Sequence, residues 1–80
     1  MFTVYALQSD ATGNFYIGQT ADLDRRLLEH QQGLARYTRN RGPWRLVYQE
    51  KYPTRADAMK RERFLKSGQG RQWLRARLSG

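Results

Sequence analysis

Phe2 to Leu7 and Asn14 to Gln19 (NFYIGQ) are runs rich in aromatic and β-branched residues, and both predict strands. Between them, Ser9-Asp10-Ala11-Thr12-Gly13-Asn14 is turn chemistry, so the pair should form a hairpin. The period then lengthens. Leu23 and Leu27 stand one helical turn apart, Asp22 can cap the helix, and Gly33 supplies a stop after about Gln32. Ala35 to Gly42 is short, polar and basic, predicting a helical turn and a loop. Trp44 to Tyr52 (WRLVYQEKY) returns to alternation, imperfectly, because each face carries at least one apolar residue. Thr54 with Asp57 three residues later has capping-box spacing. It opens a helix through Ala58, Met59, Phe64 and Leu65 that Gly68 is expected to end, and a last helix covers about Arg71 to Leu78 with Trp73, Leu74 and Leu78. The order ββαβαα predicts an α+β fold in which three strands carry helices on their faces. Eighty residues support one core, so residues 1–80 are read as a single domain.

Charge adds a partner class. Fifteen basic residues against seven acidic ones give a net charge of +8, and 12 of the 15 are arginine, whose planar fork matches phosphate. A GC-rich genome would bias composition the same way. The charge is also unevenly placed. Residues 1–35 carry two arginines against four acids, whereas residues 36–80 carry 13 basic residues against three acids. Such a field favours a polyanion. No apolar stretch approaches the roughly 18–20 residues of a membrane span, and the N-terminus lacks the layout of a signal peptide, so a soluble, cytoplasmic chain is expected. With no cysteine and one histidine there is neither a disulfide framework nor a zinc ligand set. Gly68 and Gly70 resemble a phosphate-cradling loop only superficially, since a helix cap and a turn explain them.

Several polar residues fall where the pattern expects apolar ones. Glu62 lies four residues after Ala58 and three before Leu65, on a helix face that should point inward. A carboxylate there must pair with a neighbouring arginine, bind a cation, or lie at the floor of an open cleft. Arg26 and His30 share a helix face beside Leu23 and Leu27; His30 could instead be a helix C-terminal cation answering the macrodipole, and Arg26 an ordinary solvated arginine. Tyr5 and Tyr16 are mid-strand tyrosines, for which core packing with a satisfied hydroxyl is the default.

Taken in order, Thr3-Val4-Tyr5, Tyr16-Ile17-Gly18-Gln19-Thr20, Asp22-Leu23 with Arg26-Leu27 and His30, then Arg61-Glu62 and Leu65-Lys66 resemble the GIY-YIG nuclease superfamily. The second signature, YIG, is intact. In the first, Thr3 and Val4 stand in place of Gly-Ile, and Tyr5 keeps the chemically important position. The similarity covers residues 2–78 and points to the small stand-alone bacterial type related to the N-terminal domain of the excinuclease. It implies a three-stranded antiparallel sheet flanked by helices and a single-metal DNA endonuclease, with branched, flapped or damaged DNA among the substrates open to it. It implies Tyr5, Tyr16, Arg26, His30 and Glu62 as site residues, with Glu62 holding one Mg²⁺ or Mn²⁺. Some family branches add a later Asn; this chain has none after Asn40, and Gln69 is the available substitute.

These roles agree with general chemistry. Mg²⁺ keeps most of its waters and needs one or two carboxylates plus substrate oxygens. Arg26 suits a scissile phosphate. Tyr5 is the candidate to activate water, with Tyr16 or His30 completing the relay, and lowering a phenol from about 10 to about 7 would need roughly 4 kcal/mol of differential stabilisation. Arg36, Arg39, Arg41, Lys60, Arg61, Arg63, Lys66, Arg71, Arg75 and Arg77 would then track the DNA backbone. Tyr37 and Trp44 are open to base stacking or to packing. A binding module that kept the fold without catalysis, and a basic domain that recruits another protein, are the competing readings. A monomer and a weak dimer are both compatible with the sequence.

Overall fold

The computed structural model describes residues 1–33 and 42–79. Strands β1 (Phe2–Ser9) and β2 (Phe15–Thr20), helix α1 (Leu23–Gln31), strand β3 (Trp44–Tyr52), and helices α2 (Arg55–Lys66) and α3 (Gly68–Ser79) follow one another in the expected ββαβαα order. β1 is central and pairs antiparallel with β2 on one side and β3 on the other. The hairpin turn closes with Gly13 at φ 77° and its N–H donated to the Ser9 carbonyl at 2.9 Å. Positive φ at this tight turn is the conformation glycine adopts without a Cβ penalty. The segment expected to form a helical turn and loop lies outside the described residues, except for Gly42.

Register assigns the two sheet faces. Val4 and Ala6 of β1 share a face with Phe15 and Ile17 of β2, and α2 and α3 cover it with Ala58, Leu65 and Leu74. Leu65 and Leu74 are fully buried, and each contributes about 2 kcal/mol by leaving water. The two helices meet closely because residue 70 is glycine: a Cβ there would stand 1.8 Å from the Phe64 carbonyl oxygen.

Two local features depart from the sequence reading. Gly68 opens α3 instead of ending α2. Ser67 stands between them, its carbonyl accepting from the Arg71 N–H at 3.0 Å and its hydroxyl from the Gly70 N–H at 3.1 Å. A serine that caps the next helix starts it three residues earlier than the glycines suggest. In β3, Tyr48 pairs with Ala6 and Leu46 with Leu7, leaving Val47 as an extra bulged residue. Val47 and Tyr48 therefore both pack against the core, which explains the broken alternation.

A polar cluster sits beside that core. Glu50 accepts from the Tyr48 hydroxyl, from the Tyr52 hydroxyl at 2.7 Å, and from Arg61 through Nε at 2.8 Å and a terminal nitrogen at 3.2 Å. Arg61 also lies over the rings of Trp73 at 4.5 Å and Phe64 at 5.0 Å. Burial pushes the Glu50 carboxyl up, but the hydrogen bonds from Tyr48, Arg61 and Tyr52 outweigh it and hold the group below the usual range. Tyr52 is pushed up to about 12, first by burial and then by the Glu50 carboxylate.

Removing one partner of a shielded ion pair leaves the other uncompensated, so Glu50→Gln should lower unfolding stability by about 2 kcal/mol at neutral pH. A group held below its unfolded value contributes stability at higher pH and loses it as pH falls through the folded value. Urea unfolding of wild type should therefore weaken below about pH 4.5, and the gap to Glu50→Gln should close there. Equal midpoints at pH 7 would contradict the assigned role of the cluster.

Candidate active site

The opposite face of the sheet carries Tyr5 and Leu7 of β1 with Tyr16 and Gly18 of β2. Tyr5 and Leu7 are buried there. Tyr5 is paired with Gly18, and its ring reaches across that glycine. A Cβ on residue 18 would lie 2.7 Å from the Tyr5 hydroxyl oxygen and 2.9 Å from the ring carbon bearing it. The glycine of the intact YIG signature is thus the space that lets the phenol reach its partners.

Those partners come from α1. Asp22 caps the helix by accepting from the Arg25 N–H at 3.2 Å, and Gly33 ends it at φ 74° with its N–H on the His30 carbonyl. Within it, Leu23, Arg26, Leu27 and His30 fall on the less exposed side, and His30 is the buried one of the four. The Tyr5 hydroxyl and His30 Nε2 are 3.1 Å apart. The Tyr16 ring meets the His30 ring edge-on, with centroids 4.9 Å apart. Arg26 hydrogen-bonds to Tyr5 and Tyr16 and forms an ion pair with Glu29 at 3.3 Å.

A guanidinium only donates, so the Tyr5 oxygen accepts from Arg26. With His30 neutral and its proton on Nδ1, the Tyr5 O–H donates to Nε2, 3.1 Å away. The electrostatics agree. Burial, then the Arg26 charge, lowers the His30 pKa, while Glu29 partly opposes the shift. Burial also raises Tyr5 to about 12, although its Arg26 hydrogen bond pulls the other way. The expected lowering of the phenol is therefore reversed in the protein alone: Tyr5 holds its proton. Arg26 is held firmly charged, chiefly by its hydrogen bond to Tyr5.

Glu62 approaches the same end of the sheet from α2. It lines a cleft of about 210 Å³ with Gln19, Met59, Arg63 and Lys66, and its charge is near enough to raise the Tyr5 phenol slightly. Its expected arginine partner is replaced by Lys66, four residues on, with Nζ 2.7 Å from the carboxylate. The carboxylate thus already takes a cation at an open cleft. Among the described residues, no three His, Cys, Asp or Glu side chains gather to enclose a metal. A hard divalent ion held here would draw the rest of its shell from water and substrate oxygens, which suits Mg²⁺. An unpartnered oxygen of Gln19 in the same cleft strengthens the fit.

The expected basic track divides. Lys60, Arg63 and Arg71 are exposed on α2 and α3, and Lys66 is exposed beside Glu62. Arg61 is already engaged by Glu50, while Arg75 and Arg77 lie over the rings of Phe15 and of Tyr48 and Trp73. Arg36, Tyr37, Arg39 and Arg41 lie outside the described residues. Trp44 is half-buried at the start of β3, and Gln69 is exposed in the first turn of α3. The sequence reading missed the functional spacing at Gly18 and the polar side chain of Gln19. The first was legible in YIG, and the second in a Gln at the inward phase of β2. No helix among the described residues is long and apolar enough to cross a membrane.

A family model described as the GIY-YIG catalytic domain matches residues 1–75. The chain is 45% identical over 60 residues to UPF0213 protein BH0048 of Halalkalibacterium halodurans, a match covering 74% of this chain and 63% of that protein. It therefore spans somewhat less than two thirds of that relative. It is 41% identical over 64 residues to UPF0213 protein SERP0126 of Staphylococcus epidermidis, covering 79% and 78% of the two chains. The solution NMR structure of a UPF0213 protein from Bacillus halodurans is similar with a TM-score of 0.58 and 39% identity, over 95% of this chain and 84% of that one.

His30 should titrate below the ordinary value of 6.5. Its folded form then binds fewer protons than the unfolded chain just under that pH, so its contribution to stability is present above 6.5 and is lost as pH falls through the folded pKa. An NMR titration of the single imidazole reads this directly. A midpoint at or above 6.5 would contradict the buried, Arg26-flanked placement.

Proposed function

Because this chain belongs to the GIY-YIG catalytic-domain family, we propose that it is a DNA endonuclease that hydrolyses phosphodiester bonds with one divalent cation, Mg²⁺ or Mn²⁺, at Glu62. The observation that carries the reading is convergence. Tyr5, Tyr16, Arg26 and His30 are linked on one sheet face, and Glu62, at an open cleft lined by none of the four, lies near enough for its charge to act on the Tyr5 phenol.

Each side chain has a task its surroundings permit. Arg26, held charged and fixed by three neighbours, binds the scissile phosphate and opposes the negative charge that grows in an in-line transition state. Tyr5 is a relay. As its oxygen takes a proton from the attacking water, its own proton passes to His30 Nε2, so no free phenolate forms. That route matters because ionising a phenol raised to about 12 at neutral pH would take roughly 7 kcal/mol. Neutral His30 is ready to accept, and Arg26 beside the resulting imidazolium favours its prompt release of the proton. Tyr16 packs against the His30 ring and hydrogen-bonds Arg26, keeping both in place. A bound cation at Glu62 would supply charge stabilisation at the leaving oxygen.

Exposed Lys60, Arg63, Lys66 and Arg71 contact DNA phosphates, together with Arg36, Arg39 and Arg41 beside the site in sequence. Such contacts position the duplex without reading its sequence. So small a domain has little surface for a long recognition site, which favours branched, flapped or damaged DNA as substrate. The ion pair between Lys66 and Glu62 gives the competing reading its footing, since a carboxylate neutralised by its own chain also suits a binding module without catalysis.

Nicking of supercoiled, flapped and junction DNA in Mg²⁺ or Mn²⁺ separates the two. Glu62→Gln and Arg26→Ala should each reduce cleavage by about 100-fold or more, while gel-shift affinity stays within about threefold, because most phosphate contacts remain. Cleavage at the wild-type rate in both variants would overturn the assignment. Steeply salt-dependent binding with no cleavage of any substrate would establish the binding module.

A further inference from the structure

On β2, Phe15, Ile17 and Gln19 occupy successive inward positions on the face that α2 covers, and Gln19 is paired with fully buried Val4. Two apolar residues are followed by an amide where packing alone favours a third. Among the described residues, Gln19 Oε1 is a buried side-chain oxygen without a hydrogen-bond partner. A buried acceptor left without a partner is destabilising, and a ligand that satisfies it would recover that loss. The same side chain lines the cleft of Glu62, Met59, Arg63 and Lys66.

We propose that the Gln19 side-chain carbonyl is a second oxygen donor to the divalent cation at Glu62, an inference that rests on Glu62 being the metal ligand. Electrostatics calls for such a donor. One carboxylate flanked by the charges of Arg63 and Lys66 is a poor seat for a doubly charged ion, and a neutral amide oxygen adds coordination without adding a proton-dependent group. Mg²⁺ and Mn²⁺ both favour oxygen, and amide carbonyls serve hard cations alongside carboxylates. Gln19 also lies next to Gly18, over which Tyr5 reaches, so one short stretch of β2 would locate both the cation and the phenol.

Mn²⁺ binding to the full chain, read from the electron paramagnetic resonance signal of free Mn²⁺, tests this without any cleavage assay. Gln19→Met should weaken binding by about tenfold or more, while its melting temperature in EDTA equals or exceeds that of wild type, because an unpaired acceptor has been removed. Gln19→Glu should bind Mn²⁺ at least as tightly as wild type and supplies a second informative variant should Gln19→Met fail to fold. Glu62→Gln should lose the site. If Gln19→Met binds as wild type does while Glu62→Gln does not, the Gln19 inference falls and the Glu62 reading stands. If wild type binds no Mn²⁺, both fall. A lower melting temperature of Gln19→Met in EDTA with unchanged Mn²⁺ affinity would assign Gln19 a packing role and overturn the inference.

Discussion

The phenol of Tyr5 lying across Gly18 is the contact on which the site depends. It is possible only because residue 18 has no side chain, and it carries the hydroxyl from the centre of the sheet to Arg26 and His30 on α1. The central strand is the most constrained element in the molecule, paired on both edges and packed on both faces. The relay proposed for Tyr5 would inherit that rigidity, and positioning to a fraction of an ångström is what oriented catalysis requires.

Polar groups serve opposite ends in different parts of the molecule. Beneath α2 and α3, Glu50 is saturated by Tyr48, Tyr52 and Arg61, three donors directed at one carboxylate. That arrangement stabilises the protein and has nothing left to offer a ligand. At the β2 edge of that same face the arrangement is incomplete: Glu62 is paired with a half-exposed lysine on a flexible stem and Gln19 keeps an unpartnered oxygen, while on the opposite face the Tyr5 hydroxyl and His30 Nε2 lie 3.1 Å apart. Unsatisfied or adjustable polar groups at an open cleft are destabilising to keep, and proteins retain them where a ligand completes them.

Much of this was legible in the sequence. The strands and helices followed from residue period and from caps at Asp22 and Thr54, both of which accept the expected backbone N–H. Glu62 and His30 could be singled out because each falls on an inward-facing helical pattern, and the resemblance carried by the motif order grouped them with Tyr5. Other features are intrinsically non-local. Arg61 reads as one more cation of a basic tract, yet its partner Glu50 is 11 residues away on another element. The bulge at Val47 is decided by β1, against which it fails to pair, and the glycine at position 70 is decided by the Phe64 carbonyl of the neighbouring helix. The rise of the Tyr5 pKa could not be anticipated from the arginine alone, because burial outweighs that charge.

The most direct test of the organising role of the Tyr5 phenol is the Mg²⁺-dependent DNA cleavage rate of Gly18→Ala, measured on protein whose amide NMR spectrum shows the wild-type fold. A methyl group at that position must displace the Tyr5 hydroxyl. A misplacement of about 1 Å corresponds to a loss of about 100-fold, and that loss from a folded protein is the expected result. A folded Gly18→Ala variant that cuts DNA at the wild-type rate would contradict it.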